Sequence, residues 1–197
     1  NEYLGAMVEI VFRHQGTLDK FIGDAVMATW GTILSAGAAE DARRAVAAAL
    51  DMLAGAARLR EKWSVLPHAP DLRLGIGLHA GSAIFGNIGS SLKMEPTVIG
   101  DTVNLTSRLE SLTKHYRLPI IFSGSVVKAV GHAFPFRTVD IVRVVGREAP
   151  VTIHTLPLNA NYKPEHPAWL TTHEQAWECY RSARFHEAAA LFAEVSA

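Results

Sequence analysis

The sequence predicts an α+β fold, or α/β with an antiparallel component, on three observations. Apolar stripes at helical spacing mark helices, alternating apolar segments bounded by glycine turns mark strands, and the two kinds of segment take turns along the chain. The 197 residues suffice for one core of ordinary size with a small appendage.

In order, Leu4, Met7, Val8, Val11 and Phe12 share one helical face, and Gln15-Gly16 closes that helix. Thr17 to Phe21 and Ala25 to Trp30 read as strands around Gly23-Asp24, a dipeptide suited to a tight hairpin. An Ala-rich helix follows from about Ala38 to Trp63. In Leu72 to Gly89, the alternation of Leu72, Leu74, Ile76 and Leu78, a turn near Ala80-Gly81 and a return through Phe85 read as a second hairpin. Its glycines, Gly75, Gly77, Gly81 and Gly86, lack P-loop spacing and no G-K-[ST] follows, so they read as turns and close packing.

A loop, Ser90 to Gly100, leads into DTVNLTSRLESLTKHYR, a helix whose Leu105, Leu109 and Leu112 form a core stripe. The strand LPIIFS, a short helix over Val126 to Val130, and strands near Thr138 to Val145 and Val151 to Leu156 complete a domain spanning residues 1–157. Prolines and polar residues in LNANYKPEHPAW mark a linker over 158–168. Residues 169–197 read as two helices, with Trp177, Tyr180, Phe185, Ala189 and Phe192 apolar, resembling the opening of a helical repeat.

Nineteen Lys plus Arg balance nineteen Asp plus Glu, so no net field draws the chain to nucleic acid or an acidic membrane. The single cysteine, Cys179, excludes an intramolecular disulfide framework and a Cys-based zinc site, which points to a reducing compartment and a cytoplasmic location. No apolar run approaches the ~18 residues of a membrane span, and the opening residues lack a signal peptide's basic flank and cleavage site. The nine histidines form no i, i+4 pair with a nearby acidic ligand set, which argues against zinc.

Few residues carry chemistry. Asp24 sits at a hairpin tip, where aspartate serves turn geometry or a ligand. If Leu18 and Ile22 share the face of Lys20, that lysine points where apolar side chains point and wants a partner. Asn104 and Arg108 are one helical turn apart near a helix start, where an amide and a guanidinium can hold a sugar and neutralise charge on a phosphoryl group.

Taken together and in order, KFIGDAVMATWG, GNIGS and TVIGDTVNLTSRLE closely resemble the signature segments of class III nucleotide cyclases, the adenylate and guanylate cyclase catalytic domain. The resemblance implies a ferredoxin-like βαββαβ fold and a head-to-tail homodimer with active sites at the interface. It implies two divalent cations, Mg²⁺ or Mn²⁺, no organic cofactor, and Asp24 as the second of two metal-binding aspartates. Lys20 and Thr97 match the residues that read the purine, Asn104 the ribose-orienting asparagine and Arg108 the transition-state arginine. Guanylate cyclases of the family place Glu where Lys20 stands, so the resemblance implies ATP as substrate and cyclic AMP with pyrophosphate as products.

Two departures qualify that expectation. Nothing matches the family's F-x-D-I-x-G-F-T type first strand, which carries the other metal aspartate, so the sequence is expected to be an N-terminally truncated piece of a longer signalling protein, poorly active alone. In RVVGREAPVTIHTL the lysine that binds the terminal phosphates is replaced by Val145, and Arg147 is the candidate substitute. The competing readings are a degenerate domain that binds nucleotide or dimerises without catalysis, and a guanylate cyclase.

Overall fold

The computed structural model describes residues 1–144 and 149–196. The class is α+β, as the sequence predicts. A first helix, α1 (Glu2–Arg13), leads into the hairpin β1 (Thr17–Ile22) and β2 (Ala25–Thr29), then the long α2 (Ala38–Trp63). Next come β3 (Ile76–Leu78), β4 (Ile84–Ser90), β5 (Lys93–Ile99) and α3 (Asp101–Tyr116). After β6 (Ile120–Ser123), α4 (Gly124–Val130) and a short 3-10 turn, β7 (Arg137–Val142) and β8 (Val151–Thr155) follow, then α5 (Trp169–Arg181) and α6 (Phe185–Ser196).

Among the described residues the strands form a four-stranded sheet in the order β3-β6-β8-β7 and two separate hairpins, β1-β2 and β4-β5. β3 runs parallel to β6, while β8 pairs antiparallel with both β6 and β7. Strand alternation sorts the core into two layers. Ile120 and Phe122 of β6 face α2 and α4, packing with Val46, Ala49, Leu53, Val126 and Val130. Ile121 and Ile153 face α3, packing with Leu105 and Leu109, with Leu112 partly buried against them. A third cluster, Met7, Ile10 and Ala48, joins α1 to α2 and takes in Val26 and Trp30 of the first hairpin.

Three expectations change. In α1, Ile10 is buried and Phe12 is 59% exposed, because the face that meets α2 is centred on Met7, Ile10 and Val11. Leu72 to Gly89 is not a hairpin. β3 pairs with β6, and β4 turns back onto β5, the segment expected to be a loop, from Ile84 opposite Ile99 to Ser90 opposite Lys93. Pro96 and the charges of Lys93 and Glu95 obscure the alternation of β5, features that suit an exposed strand. The close-packing reading of the glycines holds at Gly77, where a Cβ would strike the α3 backbone at Glu110 N and Thr106 O.

The C-terminal helices dock on the outer strand of the sheet. Both oxygens of Glu174 on α5 accept from Thr138 of β7, one from its backbone N–H and one from its hydroxyl, each at 2.7 Å. No helix among the described residues is long and apolar enough to cross a membrane.

Candidate active site

Lys20 owes its direction to an irregularity hidden from simple alternation. Leu18 pairs with Ala28 and Lys20 with Met27, leaving Asp19 as the extra residue of a β-bulge. Since Ala28 and Met27 are consecutive, Leu18 and Lys20 lie on opposite faces; Lys20 shares its face with Ile22 but not, as expected, with Leu18.

The bulge aims Asp19 at β5. Its Oδ2 accepts from Thr97 Oγ1 at 2.8 Å and its Oδ1 from the Val98 N–H at 3.1 Å. The carboxylate is only 4% exposed, and Lys20 Nζ stands 3.8 Å from it and 4.0 Å from Glu95 Oε2. Lys20 therefore has the partners its position calls for, and Thr97, 6% exposed, is brought beside it through one shared carboxylate. Asp19 was missed at the sequence level. Its signal was two successive charged residues, Asp19 and Lys20, between the apolar Leu18 and Phe21 of one strand.

Thr97 and Val98 lie near the end of β5, from which Gly100 at φ +138° turns the chain into α3. Asn104 and Arg108 then occupy one face of the first turns, next to the buried stripe of Leu105 and Leu109. Asn104 is exposed and Arg108 half-buried. Among the described residues neither side chain is engaged in a hydrogen bond or ion pair, which leaves an amide and a guanidinium available to a ligand.

Asp24 stands apart. It is exposed at the tip of the first hairpin, where Gly23 takes φ +63°. Its charge is felt by Tyr3 of α1, whose hydroxyl is pushed above its usual pKa by burial and then by the Asp24 carboxylate. No hydrogen bond or ion pair among the described residues joins Asp24 to Lys20, Thr97, Asn104 or Arg108. Nor do three or more His, Cys, Asp or Glu side chains converge anywhere among them. One exposed carboxylate does not by itself fit a pair of divalent cations, which need several oxygen ligands each. Arg147 and Val145 lie outside the described residues.

Neither of two surface cavities among the described residues is lined by these side chains. The larger, about 830 Å³, lies between α2 and the segment around Tyr162, bordered by the His14–Asp51 pair, Arg58 and Lys163. The smaller lies between the 3-10 turn and α5.

Residues 1–157 match the family model described as the adenylate and guanylate cyclase catalytic domain. Adenylate cyclase 1 of Rhizobium meliloti is 33% identical over 157 residues, covering 78% of this chain and 23% of that protein's length. The chain thus spans about a quarter of this relative. Among solved structures, the adenylyl cyclase CyaB from P. aeruginosa superposes with a TM-score of 0.72 at 32% identity, covering 78% of each chain. The guanylyl cyclase Cya2 superposes at 0.66 with 33% identity, covering 77% of this chain and 75% of its own. With the family model covering most of its length, the chain belongs to the adenylate and guanylate cyclase catalytic domain family.

Proposed function

We propose that this domain converts ATP to 3′,5′-cyclic AMP and pyrophosphate. The observation that carries the choice of ATP is the grouping of Lys20 and Thr97 about Asp19. An ammonium donor suits the N1 acceptor of adenine, and a hydroxyl suits its exocyclic amine, whereas guanine presents a carbonyl and an N–H at the same edge. Since a guanylyl cyclase is as similar to this chain as the adenylyl enzymes are, the substrate rests on these side chains.

In the reaction the ribose 3′ oxygen attacks the α-phosphorus, the bond to the bridging oxygen breaks, and pyrophosphate leaves. Asn104 orients the ribose so that the attack is in line, a contribution of position. Arg108 offers a planar set of donors to the charge that grows on the phosphoryl oxygens. Divalent cations, when bound, supply activation of the 3′ hydroxyl and neutralisation of the triphosphate. Asp24 is the one carboxylate assigned to them here, and Arg147 meets the terminal phosphates.

The site is proposed to form between two copies arranged head to tail, Asp24 acting from one and Lys20, Thr97, Asn104 and Arg108 from the other. This fits the lack of any hydrogen bond or ion pair joining Asp24 to the others among the described residues, and the apolar hairpin β4-β5, where Ile84, Leu92 and Met94 are 66%, 96% and 59% exposed. Patches of that kind mark association surfaces. The solitary carboxylate favours a second reading, a nucleotide-binding module without turnover. Cyclic AMP formation from ATP with Mn²⁺, compared with cyclic GMP formation from GTP, in a form carrying an aspartate-bearing first strand of the family, tests both.

A further inference from the structure

The Asp19 carboxylate does more than hold two strands together. A threonine hydroxyl carries one proton and two lone pairs, and what it offers a ligand depends on where that proton is spent. Among the described residues the two hydrogen-bond partners of Thr97 Oγ1 are acceptors: Asp19 Oδ2 at 2.8 Å and, more weakly, the Val98 carbonyl at 3.4 Å. The other Asp19 oxygen accepts from the Val98 N–H, so the carboxylate cannot turn without orphaning a backbone donor. Being 4% exposed, it has little water to exchange with.

We propose that Asp19 is a specificity-determining positioning residue: by taking the Thr97 proton it makes Thr97 an obligate acceptor toward the purine, which admits the 6-amino group of adenine and rejects a 6-carbonyl. The proposal rests on the assignment of Lys20 and Thr97 to the purine made above. Lys20 then supplies a donor and Thr97 an acceptor side by side, the complement of adenine's N1 and 6-amino pair. A 6-oxo purine sets carbonyl against lone pair at Thr97 and N–H against ammonium at Lys20. Sites that leave such polar groups facing each other unpaired discriminate strongly.

The isosteric change Asp19→Asn tests this. The Val98 N–H still needs an acceptor, so the amide presents its oxygen there and its NH₂ to Thr97. Oγ1 becomes the acceptor of that bond and its proton is released from Asp19 to the ligand, with only the long contact to the Val98 carbonyl competing for it, which reverses the polarity with little change in shape. Dissociation constants are measured with Mn²⁺ on the full chain for ATP, ITP, which carries the 6-carbonyl, and purine riboside triphosphate, which carries neither group. Ratios are taken within one preparation, so the folded fraction cancels.

The expected result is preference for ATP over both analogues in the wild type, and in Asp19→Asn a fall of at least ~10-fold in the ATP to ITP and ATP to purine riboside ratios. A parallel loss of all three nucleotides in Asp19→Asn, with Thr97→Val still erasing the ATP to purine riboside preference, would overturn the role of Asp19 alone. If Thr97→Val leaves that preference untouched, or the wild type binds none of the three, the purine assignment itself falls.

Discussion

Replacing Glu174 by alanine should release the C-terminal helices from the sheet while leaving the sheet folded. The wild-type carboxylate takes two hydrogen bonds from Thr138, each at 2.7 Å, and Thr138 is 7% exposed, so its backbone N–H is left without that acceptor and its hydroxyl keeps only the longer contact to His154 Nδ1. Bonds to a charged acceptor contribute about 1.5–3 kcal/mol when buried, but this side chain is 40% exposed and solvent screening halves the figure. The expected loss is about 2 kcal/mol at neutral pH, roughly a 30-fold fall in local closing. Amide hydrogen exchange reads it directly: protection in α5 and α6 should drop by that factor while β6 keeps its own.

Acid should act the same way, in two stages. The Thr138 hydroxyl proton goes to Glu174, leaving His154 Nδ1, 3.3 Å away, to donate to Oγ1. Burial holds His154 below its ordinary value of 6.5, so as pH falls beneath 6.5 the unfolded chain takes up that proton first and stability declines. Burial raises the pKa of Glu174, but the hydrogen bonds from His173 and Thr138 outweigh it and hold the group below 4.5. Its contribution is therefore full above pH 4.5 and is lost as pH falls through the lower folded value. Unchanged exchange in Glu174→Ala, or protection of α5 that stays constant as pH is taken from 7 to well below 4.5, would refute the reasoning.

Two further outcomes follow from named contacts. Gly77→Ala should cost about 3 kcal/mol, since the new Cβ meets α3 backbone that cannot step aside, whereas Gly86→Ala, with open space around it, should stay within about 1 kcal/mol; thermal melts compare them. In a form that turns over ATP, the role proposed for Arg108 predicts that Arg108→Lys lowers kcat by about 100-fold with little change in KM, because a point charge replaces a planar donor set; a raised KM with kcat unchanged would assign Arg108 to ground-state binding.

Strong period patterns made most of the fold legible. Leu105 and Leu109 announced α3, and Gly23-Asp24 announced the first hairpin, because helical spacing and turn chemistry are local. Pairing partners are not local. Nothing near Leu74 or Ile76 says that β3 will join β6 in parallel rather than fold back on its neighbour. The exposed strand β5 is irregular in pattern because neither face is uniformly buried. At the site, the recognised segments named Lys20, Thr97, Asn104 and Arg108, yet Asp19 emerged only from the bulge, a property of two strands read together.

Whether the domain is catalytic is the central question. Cyclic AMP production from ATP with Mn²⁺ should be measured on this chain and on a form with an aspartate-bearing first strand of the family joined ahead of residue 1. The account predicts turnover in the extended form, faster with ATP than with GTP, and little or none in the chain alone. An extended form that is folded, dimeric and binds ATP but makes no cyclic AMP, or one that prefers GTP, would contradict it.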